Sequence, residues 1–330
     1  MKYVFLLSRK AEAGSFSELE HSIVKCYSSN NLKYTIIKTE HKNHACEIVQ
    51  KYCDCSDVLL YVCSGDGTLN EVINKMKEIN AKFSVGLIPS GTANDFSKNF
   101  DYSNFKIENT INPVIDDIDL IKVNGKYCVN VLSFGFDTVI LNSAYNLLKK
   151  NPKLKANAYP IAVLQNLFKI PKYKLESKTK NGENGEVNLK GYYLLGAICN
   201  GGFYGGGFNP SPYANLTDGV LELCLAETMP LYKIIPLIFK YKKGAHLSHP
   251  MIHFQKLTKG CIKFEKELMV NVDGEIFTTD YLDFEVQITW ISKWCQKHCD
   301  LRGFAIIGRF KSLHEKYDFF IFVTDMIQYS

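Results

Sequence analysis

Between Tyr3 and Val123, four short apolar runs, Val4–Leu7, Tyr34–Lys38, Val58–Cys63 and Val85–Ile88, are separated by stretches of helical periodicity. A strand buried on both faces reads as a continuous apolar run, and a helix between two such strands returns the chain to the same edge. The alternation therefore predicts an α/β layer around a largely parallel sheet. Ligands of such sheets sit beyond the carboxyl ends of the strands. Two glycine-bearing loops fall there: Ser64-Gly65-Asp66-Gly67-Thr68 after the third run, and Pro89-Ser90-Gly91-Thr92-Ala93-Asn94-Asp95-Phe96 after the fourth. Glycine lets the backbone pass close to a ligand, and a helix N-terminus offers unpaired N–H groups, so both suit phosphate. Leu69, Val72, Ile73 and Met76 predict a helix after the first loop, with Thr68 and Glu71 as a capping box. A Gly-Asp-Gly turn that merely joins strand to helix fits the first loop equally well. Two such loops on one sheet make coincidence a poorer account. Neither is a Walker A loop or a Gly-x-Gly-x-x-Gly dinucleotide motif.

After Asn124-Gly125 the runs become β-rich: Tyr127–Leu132, Tyr192–Cys199, Val220–Leu225, Cys261–Phe264, Leu268–Val272 and Phe284–Ile288. They predict a second, antiparallel domain interrupted by helices at about 139–148 and 158–168, with polar Lys178–Glu186 as a surface hairpin or loop. At 330 residues the chain exceeds a usual single core. The expected domains are 1–123 and 124–292, with part of 293–330 returning to the first. A balance of 39 basic to 34 acidic residues is too even to point to nucleic acid. Eleven cysteines without a framework suit free thiols in a reducing compartment, hence a cytoplasmic location. The apolar stretch ending at Leu7 is too short for a signal-peptide core, and no apolar run approaches the ~20 residues of a membrane span.

Taken together, Ser64-Gly65-Asp66-Gly67-Thr68-Leu69-Asn70-Glu71-Val72 and the Pro89–Phe96 run resemble the diacylglycerol kinase catalytic domain shared with sphingosine and ceramide kinases, and most nearly soluble bacterial diacylglycerol kinases. The resemblance continues in order over roughly residues 1–290: Thr39-Glu40-His41 with His44-Ala45, Asp119, Asn130, Gly135-Phe136-Asp137, Asn200-Gly201-Gly202, Gly205-Gly206-Gly207, Pro210, Asp218-Gly219 and Val272-Asp273-Gly274-Glu275. The chain departs where the family usually has glycine at Ser64 and Asn-Pro in the first loop, here Ser8-Arg9-Lys10-Ala11-Glu12-Ala13-Gly14. The resemblance implies a three-layer α/β nucleotide-binding domain, a β-sandwich-like domain, and an active site for ATP and Mg²⁺ in the cleft between them. It places Thr39, Ser64, Gly65, Asp66, Gly67, Thr68, Glu71, Ser90, Gly91, Thr92 and Asn94 at the nucleotide. It also implies a structural magnesium held by Asp218 and by the carbonyls of Asn215 and Val220.

Phosphoryl transfer needs charge neutralised and groups aligned. Asp66, Asp95 and Asp119 are the expected carboxylates for magnesium, acting through its retained waters, although capping or turn roles suit Asp95 and Asp119 taken singly. The N–H groups of Gly65, Gly67, Gly91 and Thr92 are expected to meet phosphate. Asp273 is the expected base for a lipid hydroxyl, with Glu275 orienting it or touching magnesium; a plain Asp-Gly hairpin turn fits the same residues. Lys149, Lys150, Lys153, Lys155, Lys169, Lys172 and Lys174 surround apolar Pro160–Leu164, with Lys240, Lys242 and Lys243 extending them. They suit either a membrane-docking surface or a solvated face over a core helix. The expected activity is an ATP-dependent lipid kinase acting on diacylglycerol at the bilayer surface, with homodimerisation left open. The competing readings are an NAD kinase and a non-catalytic, nucleotide-responsive lipid-binding protein.

Overall fold

The computed structural model describes residues 1–8, 13–167, 170–181 and 185–295. The first part is a parallel sheet of β1 (Lys2–Leu7), β2 (Tyr34–Lys38), β3 (Val58–Ser64) and β4 (Ser84–Pro89) in the order β2-β1-β3-β4. Strand alternation makes its layers. Tyr3, Phe5, Leu7, Leu59, Tyr61 and Cys63 share a core with Ile23 and Tyr27 of helix α1 (Ala13–Ser29). Val4, Leu6, Leu60 and Val62 face the other way, onto α2 (His44–Tyr52) and α3 (Asp66–Glu78).

The second part is one antiparallel sheet built from β5 (Ile115–Val123), β6 (Lys126–Cys128), β7 (Val131–Gly135), β8 (Tyr173–Lys180), β9 (Glu186–Cys199), β10 (Leu221–Glu227), β11 (Ile252–Leu257), β12 (Lys259–Val272) and β13 (Glu275–Cys295). Its order is β11-β10-β9-β7-β12-β13-β5-β6, with β8 bonded to β9 and β12 beside β7. Inner-face side chains from β5 to β11 form one continuous core. Its opposite face is covered by α4 (Phe136–Lys150), α5 (Ala158–Asn166) and α6 (Leu231–Lys242). The α/β and β-rich halves expected from the sequence are both present.

The differences have local causes. The expected strand Tyr127–Leu132 is broken at Val129-Asn130, because the amides there bond to a side chain instead of a ladder. Lys178–Glu186 joins two true strands, whose inward Ser177 and Thr179 disguise the alternation. The runs at Cys261 and Leu268 are one strand whose register against β13 shifts between Lys263 and Leu268. Helix α6 escapes sequence reading because Pro236 sits inside it; Ile234, Leu237 and Tyr241 nevertheless form its buried stripe. Residues 296–330, part of the tail expected to rejoin the first domain, lie outside the described residues.

Strand β5 is the seam. Its backbone belongs to the second sheet, Ile121 and Val123 lie in that sheet's core, and Ile118 and Leu120 lie in the core of the first domain. Leu120→Ala is therefore expected to cost about 2–5 kcal/mol and to shift the unfolding of both halves together, measured by urea denaturation followed with probes in each half. A shift confined to one half counts against the seam.

Candidate active site at the strand ends

Parallel strands bring their carboxyl ends to one edge, and there Ser8, Thr39, Ser64–Thr68 and Ser90–Asn94 meet. The Thr39 amide donates to Leu7 O at 2.9 Å, and the Ser90 amide to Ser64 O at 3.1 Å. Ser64 Oγ donates to Thr68 Oγ1 at 2.8 Å, and Thr68 Oγ1 to Ser8 Oγ at 3.4 Å. Ser8 escaped prediction as a site residue because its loop departs from the expected pattern; its position after β1 was the only signal. Helix α3 starts at Asp66 with Gly65 as its N-cap, so Thr68 lies within the first turn and the expected Thr68–Glu71 capping box does not form. Glu71 instead accepts the Cys46 thiol, at 3.6 Å.

The two loops are packed onto each other. A Cβ at Gly91 would lie 2.5 Å from Gly65 Cα, and one at Gly65 would lie 3.2 Å from Gly91 Cα. Glycine at both positions answers a close approach of backbones. The Asp66 carboxylate completes the junction by accepting the amides of Asp95 at 2.9 Å and Phe96 at 3.0 Å. Asn94, in the left-handed region at φ 48°, accepts the Gly91 amide at 2.9 Å. The Gly91 N–H expected at phosphate is thus already engaged inside its own loop. Gly67 faces open space and Thr92 is exposed. Ser90 Oγ is buried and has no hydrogen-bond partner among the described residues. An orphan hydroxyl on this edge suits a phosphate oxygen.

The expected magnesium carboxylates divide into two groups. Asp66 lies near Asp95 and Asp273, and burial, with their charges, raises its carboxyl above the usual range. Asp95 is buried and accepts Lys98 Nζ on Oδ1 and the Gly206 amide on Oδ2, at 2.8 Å. Asp66 and Asp95 thus face one region, and each oxygen retains a lone pair for a water of a hydrated cation. Asp119 has Asp218 as its charged neighbour: it accepts the Gly219 amide at 2.7 Å, and burial, with the charge of Asp218, raises its carboxyl.

Asp273-Gly274 is a two-residue hairpin turn between β12 and β13, with φ of 47° and 97°. The turn also carries a half-buried charge. Asp273 Oδ1 accepts the amides of Asn130 and Val131, both at 3.1 Å, and Oδ2 accepts the Val129 amide and, at 2.8 Å, Asn70 Nδ2 from α3. Cys128 Sγ donates to Oδ1 at 3.3 Å. These donors occupy the lone pairs that a base needs. Burial outweighs them and raises the carboxyl. Glu275, two residues on, is exposed. Tyr145 of α4 donates its hydroxyl to Gly274 O at 3.1 Å, so α4 reaches this turn.

Around the expected structural metal, Asn215 Oδ1 accepts from Thr217, Asp218 Oδ1 accepts the Val220 amide at 3.1 Å, and Leu216 O accepts the Asp119 amide at 2.6 Å. Nearby Glu222, absent from any motif, is fully buried with neither carboxylate oxygen fully hydrogen-bonded among the described residues, and burial pushes its carboxyl up to about 7. Orphan carboxylate oxygens beside Asp218 fit an oxygen-liganded cation there.

Residues 2–123 match the family described as diacylglycerol kinase catalytic domain, and residues 130–288 the YegS C-terminal NAD kinase beta sandwich-like domain. A Shewanella frigidimarina protein named "Probable lipid kinase YegS-like" is 30% identical over 230 residues, covering 67% of this chain and 71% of that protein. The diacylglycerol kinase of Bacillus subtilis is 27% identical over 224 residues, covering 66% and 71%. The crystal structure of a Bacillus anthracis diacylglycerol kinase superposes with a TM-score of 0.67 at 19% identity, over 90% of this chain and 97% of that one, and shows the same fold. With both matched domains present in order and a relative 30% identical over two thirds of its length, the chain belongs to the diacylglycerol kinase catalytic-domain family and is a lipid kinase.

Proposed function

We propose that the enzyme transfers the γ-phosphate of ATP to the free hydroxyl of a diacylglycerol, forming phosphatidate for phospholipid synthesis. The carrying observation is the junction of the two loops, where Asp66 caps the second loop and Gly65 touches Gly91. It sets a helix N-terminus, the orphan Ser90 hydroxyl and the carboxylates of Asp66 and Asp95 around one phosphate-sized edge. Thr39, Ser64, Thr68 and Ser8 line the same edge, with the Gly65 and Gly67 amides at the N-terminus of α3. Magnesium held through waters by Asp66 and Asp95 would neutralise the phosphate charge and favour an in-line geometry. Lys98, already at Asp95, supplies a fixed positive charge beside it.

The base role fits Glu275 better than Asp273. Both Asp273 oxygens are held by amides and by Asn70, so it positions the turn, whereas the exposed Glu275 has no side-chain hydrogen-bond partner among the described residues. In this mechanism Glu275 takes the acceptor's proton as the new O–P bond forms. Asp218, with the Asn215 and Val220 carbonyls, would hold a second magnesium that braces the domain.

No helix among the described residues is long and apolar enough to cross a membrane. Ala162 and Val163 of the apolar Pro160–Leu164 run are buried in the core, so that run supports α4. Lys174 pairs with Glu265 at 2.9 Å, and the side chains of Lys155 and Lys169 lie outside the described residues. Lys149, Lys150, Lys153 and Lys172 are exposed. Lys149 lies one turn beyond Tyr145, on the same stripe of α4, so a positive surface adjoins the turn that carries Glu275. We assign peripheral docking on anionic bilayers to this end of α4, consistent with a cytoplasmic enzyme.

Labelled ATP with a lipid panel and NAD tests the reaction: label is expected on diacylglycerol, and label on NAD alone defeats this reading. Glu275→Gln is expected to lower kcat about 10²–10⁴-fold with little loss of stability, whereas Asp273→Asn lowers activity together with thermal stability. Wild-type kcat in Glu275→Gln removes the base assignment. Gly91→Ala, which drives a methyl into Gly65, is expected to cost about 1–3 kcal/mol and to raise the KM for ATP, read from denaturation and steady-state kinetics. Reversing charge at Lys149, Lys150 and Lys153 is expected to weaken binding to phosphatidylglycerol vesicles in flotation assays while sparing turnover of a detergent-dispersed substrate; unchanged flotation excludes this surface.

A further inference from the structure

Strand alternation in β10 sends Leu221, Leu223 and Leu225 into the inner core, and Glu222, Cys224 and Ala226 to the helix-covered face. Glu222 is 0% exposed, and neither carboxylate oxygen has a partner at full hydrogen-bond geometry among the described residues; its polar neighbour is the buried Ser211 hydroxyl, which likewise has none. Its cross-strand neighbour is Lys256, whose Nζ lies 3.8 Å from Glu222 Oε1 and also 3.8 Å from Asp218 Oδ2. Two carboxylates, one fully buried, thus converge on a single point. The ammonium there is too distant to hydrogen-bond either of them, and its side chain is 48% exposed.

An ionised carboxylate taken out of water is costly unless it is paired and hydrogen-bonded. Lys256 provides charge but no hydrogen bond. A hydrated divalent cation provides both, because magnesium carries oxygen-donor waters that bridge to carboxylates it does not touch directly. We propose that Glu222 is a further member of the second-domain cation site, receiving the cation at Asp218 through its hydration shell, and that Lys256 is the charge the cation displaces. The inference rests on the reading of Asn215, Asp218 and Val220 as that site. It makes the chain's own lysine a competitor of the metal: with the cation absent, Lys256 closes over the two carboxylates, and with it present, Lys256 turns to solvent.

The test uses the full chain without nucleotide. Mn²⁺ stoichiometry and affinity are read by electron paramagnetic resonance, and melting temperature is read in chelator and in Mg²⁺. Glu222→Gln, equal in size and uncharged, is expected to melt at or above wild type in chelator, because a buried charge is gone. It should lose most of the Mg²⁺-dependent rise and bind Mn²⁺ at that site about tenfold or more weakly, as second-layer ligand changes do. Lys256→Gln should bind Mn²⁺ more tightly than wild type. Wild-type Mn²⁺ affinity in Glu222→Gln overturns the proposal, as does weaker binding in Lys256→Gln. If Asp218→Asn removes one Mn²⁺ while Glu222→Gln removes none, the role of Glu222 fails and the Asp218 site stands. If Asp218→Asn also leaves binding unchanged, the site itself fails.

Discussion

A carboxylate at a hairpin tip is the most highly bonded of the contacts that join the two halves of this enzyme. Asp273 sits at the tip of the β12–β13 hairpin and accepts the amides of Val129, Asn130 and Val131 together with Asn70 of α3. Those amides are unavailable to a ladder, so β6 and β7 are separate strands. Asn70 lies one turn beyond the Ser64–Thr68 loop, so whatever positions the hairpin also positions that loop. Asn74 adds a second connection, giving its amide to Tyr127 O and accepting the Tyr127 amide. A half-buried, multiply hydrogen-bonded carboxylate is costly to leave half-satisfied, which makes this arrangement a selector of one interdomain geometry.

The edge at the strand ends follows the same logic on a smaller scale. Asp66 spends its carboxylate on the backbone of the neighbouring loop rather than on its own helix, and two glycines meet where any side chain would force the loops apart. The acidic residues therefore act on two levels. Asp66 holds backbone through one lone pair on each oxygen, Asp95 holds the Gly206 amide and the Lys98 ammonium, and each oxygen keeps a lone pair. Their mutual proximity, which burial makes more expensive, is relieved by positive charge at the same place.

The alternation of strands and helices, both glycine loops and the Asp-Gly-Glu turn were legible because each is a local pattern: strand period, turn chemistry, and glycine where the backbone must pass closely. The halves divide near β5, but its two faces serve two cores, a fact carried by no window of sequence. Helix α6 was hidden by Pro236, and β8 by its inward Ser177 and Thr179. Asp119 was grouped with Asp66 and Asp95 by carboxylate chemistry and by the family resemblance. Its carboxylate accepts the Gly219 amide and feels the charge of Asp218, a neighbourhood that only the fold reveals.

The sequence by itself determined the α/β and β-rich halves, the parallel edge with its two glycine loops and the carboxylates present there, because periodicity, glycine and charge act over a few residues. The tertiary structure alone decided which carboxylates remain available. Whether Asp273 is a base or a pin, and whether Glu222 is a stranded charge or part of a cation site, depends on donors brought from distant segments. Asn70 lies 203 residues from Asp273 in the chain, and hydrogen-bond saturation over such separations leaves no local trace.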